Sequence, residues 1–414
     1  MEPQAQQGMA WFPATVGSAY RRGTDDDAAA LLSGAAFDDM LAGLRRAAEL
    51  VASPGAPTDP VDRAAGYRHL LVLLALAADE ALRTSDPYEP HIAPANVDAV
   101  LKWGMDCPDA AYSGTPLRAD ATYRVRGRRG SARYLGFQVM AGIETTANAV
   151  ADELELAPDG RFELVLSAAP HPGNWLPLTP RASSLVIRQF FYDWEHEDPA
   201  ELDIECLSPR PEAAEPAVLS PAGTGRQLVA VGEFLQASVR FWRDVEEGGR
   251  AQGVNVFRQP AALTSMGAAA ENVSVWGSWE LHDDEALVVE VTPPEARYWS
   301  VSLGNHWWET IDYAARQSSL NGHQAVIDGD GVFRAVLAGR DPGVANWLDT
   351  AGNRQGPMIF RWLRAAAHPV PTTALVGIDE VATVLPPGTV FVGPDERRAA
   401  LARRRAGVRR RFCR

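Results

Sequence analysis

The sequence predicts a mainly β protein of the α+β class: two jelly-roll or β-sandwich-like units related by an internal repeat, an N-terminal helical hairpin, and a helical insert between the units. Three observations predict it. Apolar residues alternate with a period of two over 122–207 and again from 273 onward, as half-buried strands require. Helical spacing is confined to the region before residue 90 and to 228–245. Four anchors recur in the same order in the two β regions. Ala132-Arg133-Tyr134 answers Ala296-Arg297-Tyr298, Asp159-Gly160 with Phe162 answers Asp330-Gly331 with Phe333, Asn174-Trp175 answers Asn346-Trp347, and Arg188 answers Arg361. The spacings nearly agree, Tyr to Trp at 41 and 49 residues and Trp to Arg at 13 and 14.

Residues 1–24 show no period. Asp25-Asp26-Asp27 supplies carboxylates suited to a helix start, and Phe37, Met40, Leu41, Leu44, Ala48 and Val51 follow as a helical stripe. Asp59-Pro60 is an N-cap with proline at the first helical position. It opens a second helix whose stripe is Tyr67, Leu70, Leu71, Leu74 and Ala78, so 1–90 is the helical region. The first β unit, 91–210, begins with a loop rich in Pro, Asp and aromatics. Tyr123 to Gly127 and Tyr134 to Val139 then read as a hairpin about Arg128-Arg129-Gly130, with further strands at 162–166, 185–192 and 202–207. Residues 211–270 start as a Pro- and Ala-rich linker and continue as an amphipathic helix carrying Leu228, Val231, Leu235, Val239 and Trp242. The second β unit spans 271–394. Residues 395–414 hold nine arginines against Asp395 and Glu396, and read as a frayed, solvated tail or as a site for nucleic acid or anionic lipid.

The 414 residues carry a formal charge of −14, and since the tail is basic the body is more acidic still. Such a body repels nucleic acid and anionic lipid. Cys107, Cys206 and Cys413 fit neither a disulfide framework nor a metal site, which points to a reducing compartment. No secretory signal is visible near Met1, and no apolar run reaches the roughly 20 residues of a membrane span. The expectation is a cytoplasmic protein.

Features present in both copies read as architecture: the Asn-Trp pairs fill corners, and Arg188 and Arg361 satisfy a buried acid or carbonyl. The second copy alone, in its longer gap, has His306-Trp307-Trp308, Asp312-Tyr313, and Asn321 followed by His323-Gln324. Loops on a rigid scaffold are where chemistry concentrates. Those residues are the functional candidates.

Ala296-Arg297-Tyr298-Trp299, Trp308-Glu309-Thr310-Ile311-Asp312-Tyr313, Asp341-Pro342-Gly343, Asn346-Trp347-Leu348-Asp349-Thr350 and Phe360-Arg361-Trp362 resemble the domain-of-unknown-function family numbered 1214. More loosely, Asp106-Cys107-Pro108-Asp109 and Tyr123-Arg124-Val125-Arg126-Gly127 resemble its relative numbered 1254. The resemblance implies β-rich, jelly-roll-like units, in some relatives a double jelly roll that forms trimers. It carries over no catalytic residue.

Trp299, Trp307, Trp308 and Trp347 beside carboxylates suggest a sandwich mouth for a polyol or sugar-like ligand, indole faces burying C–H surface while acids and amides hold hydroxyls. Glu309 and Asp312 are the acid/base candidates, with His306 to orient or relay a proton. Tyr313, Asn321, His323, Gln324 and Arg361 would bind substrate, joined by Asp106, Asp109 and Tyr112 if the units pack mouth to mouth. Asp328 and Asp330 form either a second carboxylate pair or a polar turn. No dense ligand spacing calls for a metal, and no phosphate or dinucleotide loop calls for a cofactor. The leading expectation is a hydrolase or lyase acting on a small polar, polyol or glycosidic substrate. The rival is a noncatalytic ligand-binding or assembly protein whose aromatic cluster forms the interface of a homo-oligomer.

Overall fold

Thr24 caps the first described helix. Its hydroxyl accepts the Asp27 amide while the Asp27 carboxylate accepts the Thr24 amide, a reciprocal cap on α1 (Asp25–Ser33). The computed structural model describes residues 23–82, 86–94, 97–142, 144–211, 219–264 and 267–412. Residues 1–22 and the heart of the predicted linker, 212–218, lie outside them. α2 (Ala35–Val51) follows, and Asp59 caps α3 (Pro60–Leu82) by accepting the Val61 amide at 2.8 Å.

The first unit comprises β1 (Ala93–Pro94), β2 (Ala110–Pro116), β3 (Tyr123–Arg128), β4 (Tyr134–Ala141), β5 (Glu144–Val150), β6 (Arg161–Ser167), β7 (Trp175–Pro177), β8 (Ser184–Phe190) and β9 (Glu201–Cys206). After α4 (Pro221–Arg250) the second comprises β10 (Val256–Phe257), β11 (Asn272–Glu280), β12 (Glu285–Val291), β13 (Ala296–Leu303), β14 (Ser319–Asn321), β15 (Phe333–Ala338), β16 (Trp347–Asp349), β17 (Gln355–Ala365) and β18 (Thr372–Gly377). Each unit is a sandwich. Order β1-β2-β8-β4-β5 faces β7-β6-β3-β9, and β10-β11-β17-β13-β14 faces β16-β15-β12-β18. Adding nine to every strand of the first gives the second, so the repeat read from four anchors extends to the whole topology. Val125, Phe137 and Leu164 fill the first interior, and Trp279, Val301, Phe333 and Phe360 the second. The hairpin expected at 123–139 is not one: β3 and β4 lie in different sheets. Alternation set which side chains point inward, but the turn carries the chain across the sandwich instead of back alongside itself.

The five-stranded sheets meet along a seam with approximate twofold symmetry. Arg133 Nε donates to the Arg297 carbonyl at 2.6 Å, and Arg297 Nε returns the bond to the Arg133 carbonyl at 2.9 Å. Arg361 reaches the Met105 carbonyl and Arg188 the Gly267 carbonyl, at matching places ahead of β2 and β11. The shared Asn-Trp anchors are equally architectural. Asn174 and Asn346 donate to the carbonyls of Glu163 and Arg334, and the indoles of Trp175 and Trp347 to those of Ser167 and Ala338.

The insert α4 joins α1, α2 and α3 in one helical layer, Leu235 and Val239 meeting Ala47, Val51 and Leu73. Its approach is close. A Cβ on Gly43 would lie 2.4 Å from the Gly232 carbonyl oxygen. This resets the predicted stripes: Ala36, Gly43 and Ala47 are buried while Phe37 and Leu41 are exposed, and on α3 Gly66, His69, Leu70 and Leu73 are buried while Tyr67 and Leu71 are exposed. The run Leu70 to Ala78 is apolar all round, so its period could not fix its phase.

α5 (Val381–Val384) covers the outer sheet of the second unit, and the Arg-rich segment forms α6 (Pro394–Phe412) laid across both units. It is not a solvated tail. Arg404 donates to the Tyr313 carbonyl and Ser319 hydroxyl, Arg411 stacks on Trp194 at 4.1 Å, Arg410 pairs with Asp198, and Arg397 pairs with Asp341. Planar guanidinium groups make several directed bonds at once, so such a segment can bind its own body. Among the described residues no helix is long and apolar enough to cross a membrane.

Candidate functional site

The loop between β13 and β14, residues 304–318, replaces a connection of only residues 142–143 in the first unit. Asn305 organises it: Oδ1 accepts the amides of Trp307 and Glu309, and Nδ2 donates to Glu309 Oε2 at 2.9 Å. Trp308 adopts φ 61° and Met105 φ 56°, and the Met105 amide donates to the Trp308 carbonyl at 2.8 Å. Left-handed backbone at two non-glycine residues in contact is local strain held by its surroundings.

The weave sends neighbouring side chains in different directions. Trp307 enters the helical layer, where its Nε1 donates to the Asp62 carbonyl; Gly66 makes room for it, since a Cβ there would lie 2.6 Å from the indole. Trp308 stacks on Trp242 of α4 at 4.8 Å. Trp299 fills the second sandwich, and Trp347 packs beneath α5. The four indoles expected to line one pocket therefore occupy four separate packing clusters. Nor do they form a surface for a second subunit, since Trp307 and Trp308 are each 2% exposed in the single chain.

Glu309 does gather chemistry around it. It is buried, and its Oε1 lies 3.1 Å from His69 Nδ1 of α3 and 3.7 Å from Arg68, whose side chain is 57% exposed. Burial alone would raise its pKa, but His69, Asn305 and Arg68 outweigh that and hold the carboxyl below its usual range. On the other side of Thr310, Asp106 accepts the Thr310 hydroxyl at 2.6 Å. Burial pushes Asp106 up to about 6 despite Lys102 and Arg361 nearby. Buried Lys102 donates to the Thr310 and Ile311 carbonyls at 3.0 and 3.3 Å, and burial pushes its pKa down. One carboxyl is thus held ionised and its neighbour held protonated to near pH 6.

The other predicted residues do not converge there. Asp312 turns outward and caps a turn, accepting the amides of Ala314 and Ala315, so it forms no catalytic pair with Glu309. His306 is 2% exposed with no partner on either ring nitrogen, and burial, then Arg250 and Arg243, push it down to about 3. It stays neutral at physiological pH and cannot deliver a proton as an imidazolium. Arg361 is occupied by the Ser302 hydroxyl and the Met105 carbonyl. Tyr313 lies under Lys102, 4.1 Å from its ring centre. Asp109 and Asn321 meet at the seam, where Asp109 accepts from Asn321, Trp194 and Tyr298. Tyr112 accepts the Cys107 amide, Gln324 accepts from Arg404, and His323 lies exposed 3.8 Å from Asp193. Asp328 and Asp330 form the polar turn, clamped by Arg334 at 2.8 and 2.7 Å. An open trough of about 730 Å³ lies elsewhere, on the outer sheet of the first unit beside Arg126, Arg128 and Glu163.

Sequence reasoning missed Arg68, His69 and Lys102. A signal existed for two of them: His69 abuts the apolar run of α3, and Lys102 lies between Leu101 and Trp103. A titratable side chain in phase with an apolar stripe is buried with it. Among the described residues no group of three or more His, Cys, Asp or Glu is placed to hold a metal ion.

The family model described as "Protein of unknown function (DUF1214)" matches residues 283–367, from β12 into β17 and including the 304–318 loop. The looser likeness to the relative numbered 1254 lies outside that match. An uncharacterized protein from Burkholderia cenocepacia, known from a crystal structure, is 35% identical, with 85% of this chain and 99% of that one aligned and a TM-score of 0.78. A Vibrio parahaemolyticus protein is 11% identical over 75% of this chain and 98% of its own, at a TM-score of 0.43 too low to carry an argument. A search of the curated proteins finds no match. With β12 to β17 of its second unit matched by the family model and a 35% identical relative aligned over 85% of its length, the chain belongs to the DUF1214 family.

Proposed function

We propose that the protein performs acid–base chemistry on a small polar substrate, by hydrolysis or elimination, at the Glu309 cluster. The observation that carries this is the split between two buried carboxyls either side of Thr310: Glu309 held below the usual carboxylate range and Asp106 raised to about 6. Environments that push two acids apart assign a base and an acid. Glu309 is the base, oriented by Asn305 and His69; Asp106 is the acid. Lys102 and Thr310 position them, and Arg68, more than half exposed, is the charged group beside Glu309. The dispersal of the indoles removes the reason to expect a sugar ring, so the substrate class is small and polar without further restriction.

The test is consumption of a metabolite from a small-molecule extract by the purified protein, followed by mass spectrometry. A consumed compound should persist with Glu309→Gln, at least about 100-fold slower as expected for loss of a general base, while Asp312→Asn retains full turnover. The rate should fall as pH drops below the Glu309 range, where the base is protonated, and again as pH rises through about 6, where Asp106 loses its proton. No consumed compound, or equal rates for Glu309→Gln and wild type, overturns the reading.

A further inference from the structure

The two outer sheets end on equivalent strands, β9 in the first unit and β18 in the second, each six residues long and paired on one side only, to β3 and to β12. An antiparallel strand turns the N–H and C=O groups of alternate residues away from its neighbour, so an edge offers them to any further strand. Natural edges are guarded against this, most often by charge. β9 is guarded: Glu201, Asp203 and Glu205 alternate along it, and Glu205 pairs with Arg124 and Arg126. β18 is not. It reads Thr372-Thr373-Ala374-Leu375-Val376-Gly377, without a charge or an internal proline.

Only one end of that edge is closed. The Gly377 amide donates to Glu380 Oε2 at 3.1 Å and the Ile378 amide to the Asp284 carbonyl at 2.8 Å. From Thr372 to Val376, among the described residues, the backbone bonds go to β12 alone. The side chains beside it are open as well. Ala374 shares the row of Val288 and is exposed. Leu375 shares the inward row of Leu287 and is still 50% exposed. The facing sheet ends here in β10, two residues long, whose Val256 is 46% exposed; Thr373 reaches the Asn255 carbonyl just before it at 2.6 Å. The flank of the second sandwich is therefore an uncharged strand edge with two half-exposed apolar side chains beside it.

Symmetry decides what can lie there. Two copies paired about a twofold axis set an edge against itself in reverse, so every charge on it meets like charge opposite or diagonally. β9, with three carboxylates, would repel its own copy. β18 brings no charge, and its β-branched Thr372, Thr373 and Val376 suit a ladder. The remaining sheet edges are β1, β7, β10, β14 and β16, of two or three residues, and β5, which carries Glu144 and a register shift against β4. We propose that the protein forms a dimer in which β18 pairs antiparallel with β18 of a second copy, joining their outer sheets into one. The axis runs near Ala374 and Leu375, in the middle of the strand, and the added strand covers the Leu375 side chain. The contact is remote from the 304–318 loop and does not rest on the Glu309 reading.

The test is analytical ultracentrifugation of the full-length protein over a concentration series, with hydrogen exchange of the β18 amides followed in parallel. The wild type should pass from monomer to dimer as concentration rises, and amides between Thr372 and Val376 should gain protection in step. Ala374→Lys and Ala374→Glu, at an exposed position, should each weaken association at least about tenfold, since like charges then meet across the axis. An equimolar mixture of the two should restore association as a heterodimer, which a misfolded variant could not do. A wild-type chain monomeric up to about 1 mM, where even a weak specific pair is half associated, overturns the proposal. So does a dimer that both variants retain, or one whose β18 amides exchange equally in dilute and concentrated solution. Protection of β18 only on adding an extended peptide, with the chain still monomeric, assigns the edge to a foreign strand and overturns it too.

Discussion

The two sandwich units share a strand plan and differ in what lies on it. Val125 pairs with Leu164 and Val289 with Ala335, equivalent inward positions, so Arg124 in the first unit occupies the place of Val288 in the second. Their partners follow suit: Arg124 faces Glu205, and Val288 faces Ala374. In the first unit this outer face is an exposed lattice of ion pairs, Arg124 and Arg126 with Glu205 and Glu163. In the second it is apolar and covered by Ile378, Val381 and Leu385. The same contrast holds at the opposite end, where the first unit closes β4 to β5 with residues 142–143 and the second spreads residues 304–318 into the helical layer. A duplicated frame keeps its interior and seam because those positions are mutually constrained; outer faces and loops are free to diverge.

The largest expected effect tests the loop. Trp307→Ala removes the side chain that ties the second unit to the helices, leaves a cavity opposite Gly66, and should cost about 3–5 kcal/mol in chemical unfolding. A loss below about 1 kcal/mol would mean the helical layer is held by other contacts. Next is the covered face. Val288→Arg gives the second unit the residue of the first without its carboxylate partner, and an unpaired charge beneath the 378–385 cap should destabilise by about 3 kcal/mol or more. The reciprocal change, Arg124→Val, removes only a half-exposed ion pair and should move stability by no more than about 0.5 kcal/mol. Equal effects of these two substitutions would erase the distinction between the faces.

Much of the architecture was legible because it rests on local rules. Asp25 to Asp27 and Asp59 announce helix starts, alternation marks strands, and the Arg188 and Arg361 anchors mark equivalent strands of two units. What was misread depended on partners distant in sequence. The stripe of α2 shifted because Gly232 of α4 packs on Gly43, and the 123–139 hairpin failed because inward-facing residues do not say which sheet a strand joins. The Arg-rich end read as solvated because its carbonyl and carboxylate partners lie in other elements. Of the candidate site, Glu309 was found by its place in a loop peculiar to the second unit. Its partners His69 and Lys102 were not, being more than 200 residues away in the chain.

The sequence by itself determined the repeat, the mainly β class and the segment where the two copies diverge, since period and spacing are properties of the chain alone. Only the tertiary structure decided that Trp307, Trp308 and Glu309 face three different environments: the helical core, a tryptophan cluster on α4 and a buried carboxylate pair. A loop held by the Asn305 side chain and left-handed turns at Met105 and Trp308 has no period to read, and its directions are set by what packs around it.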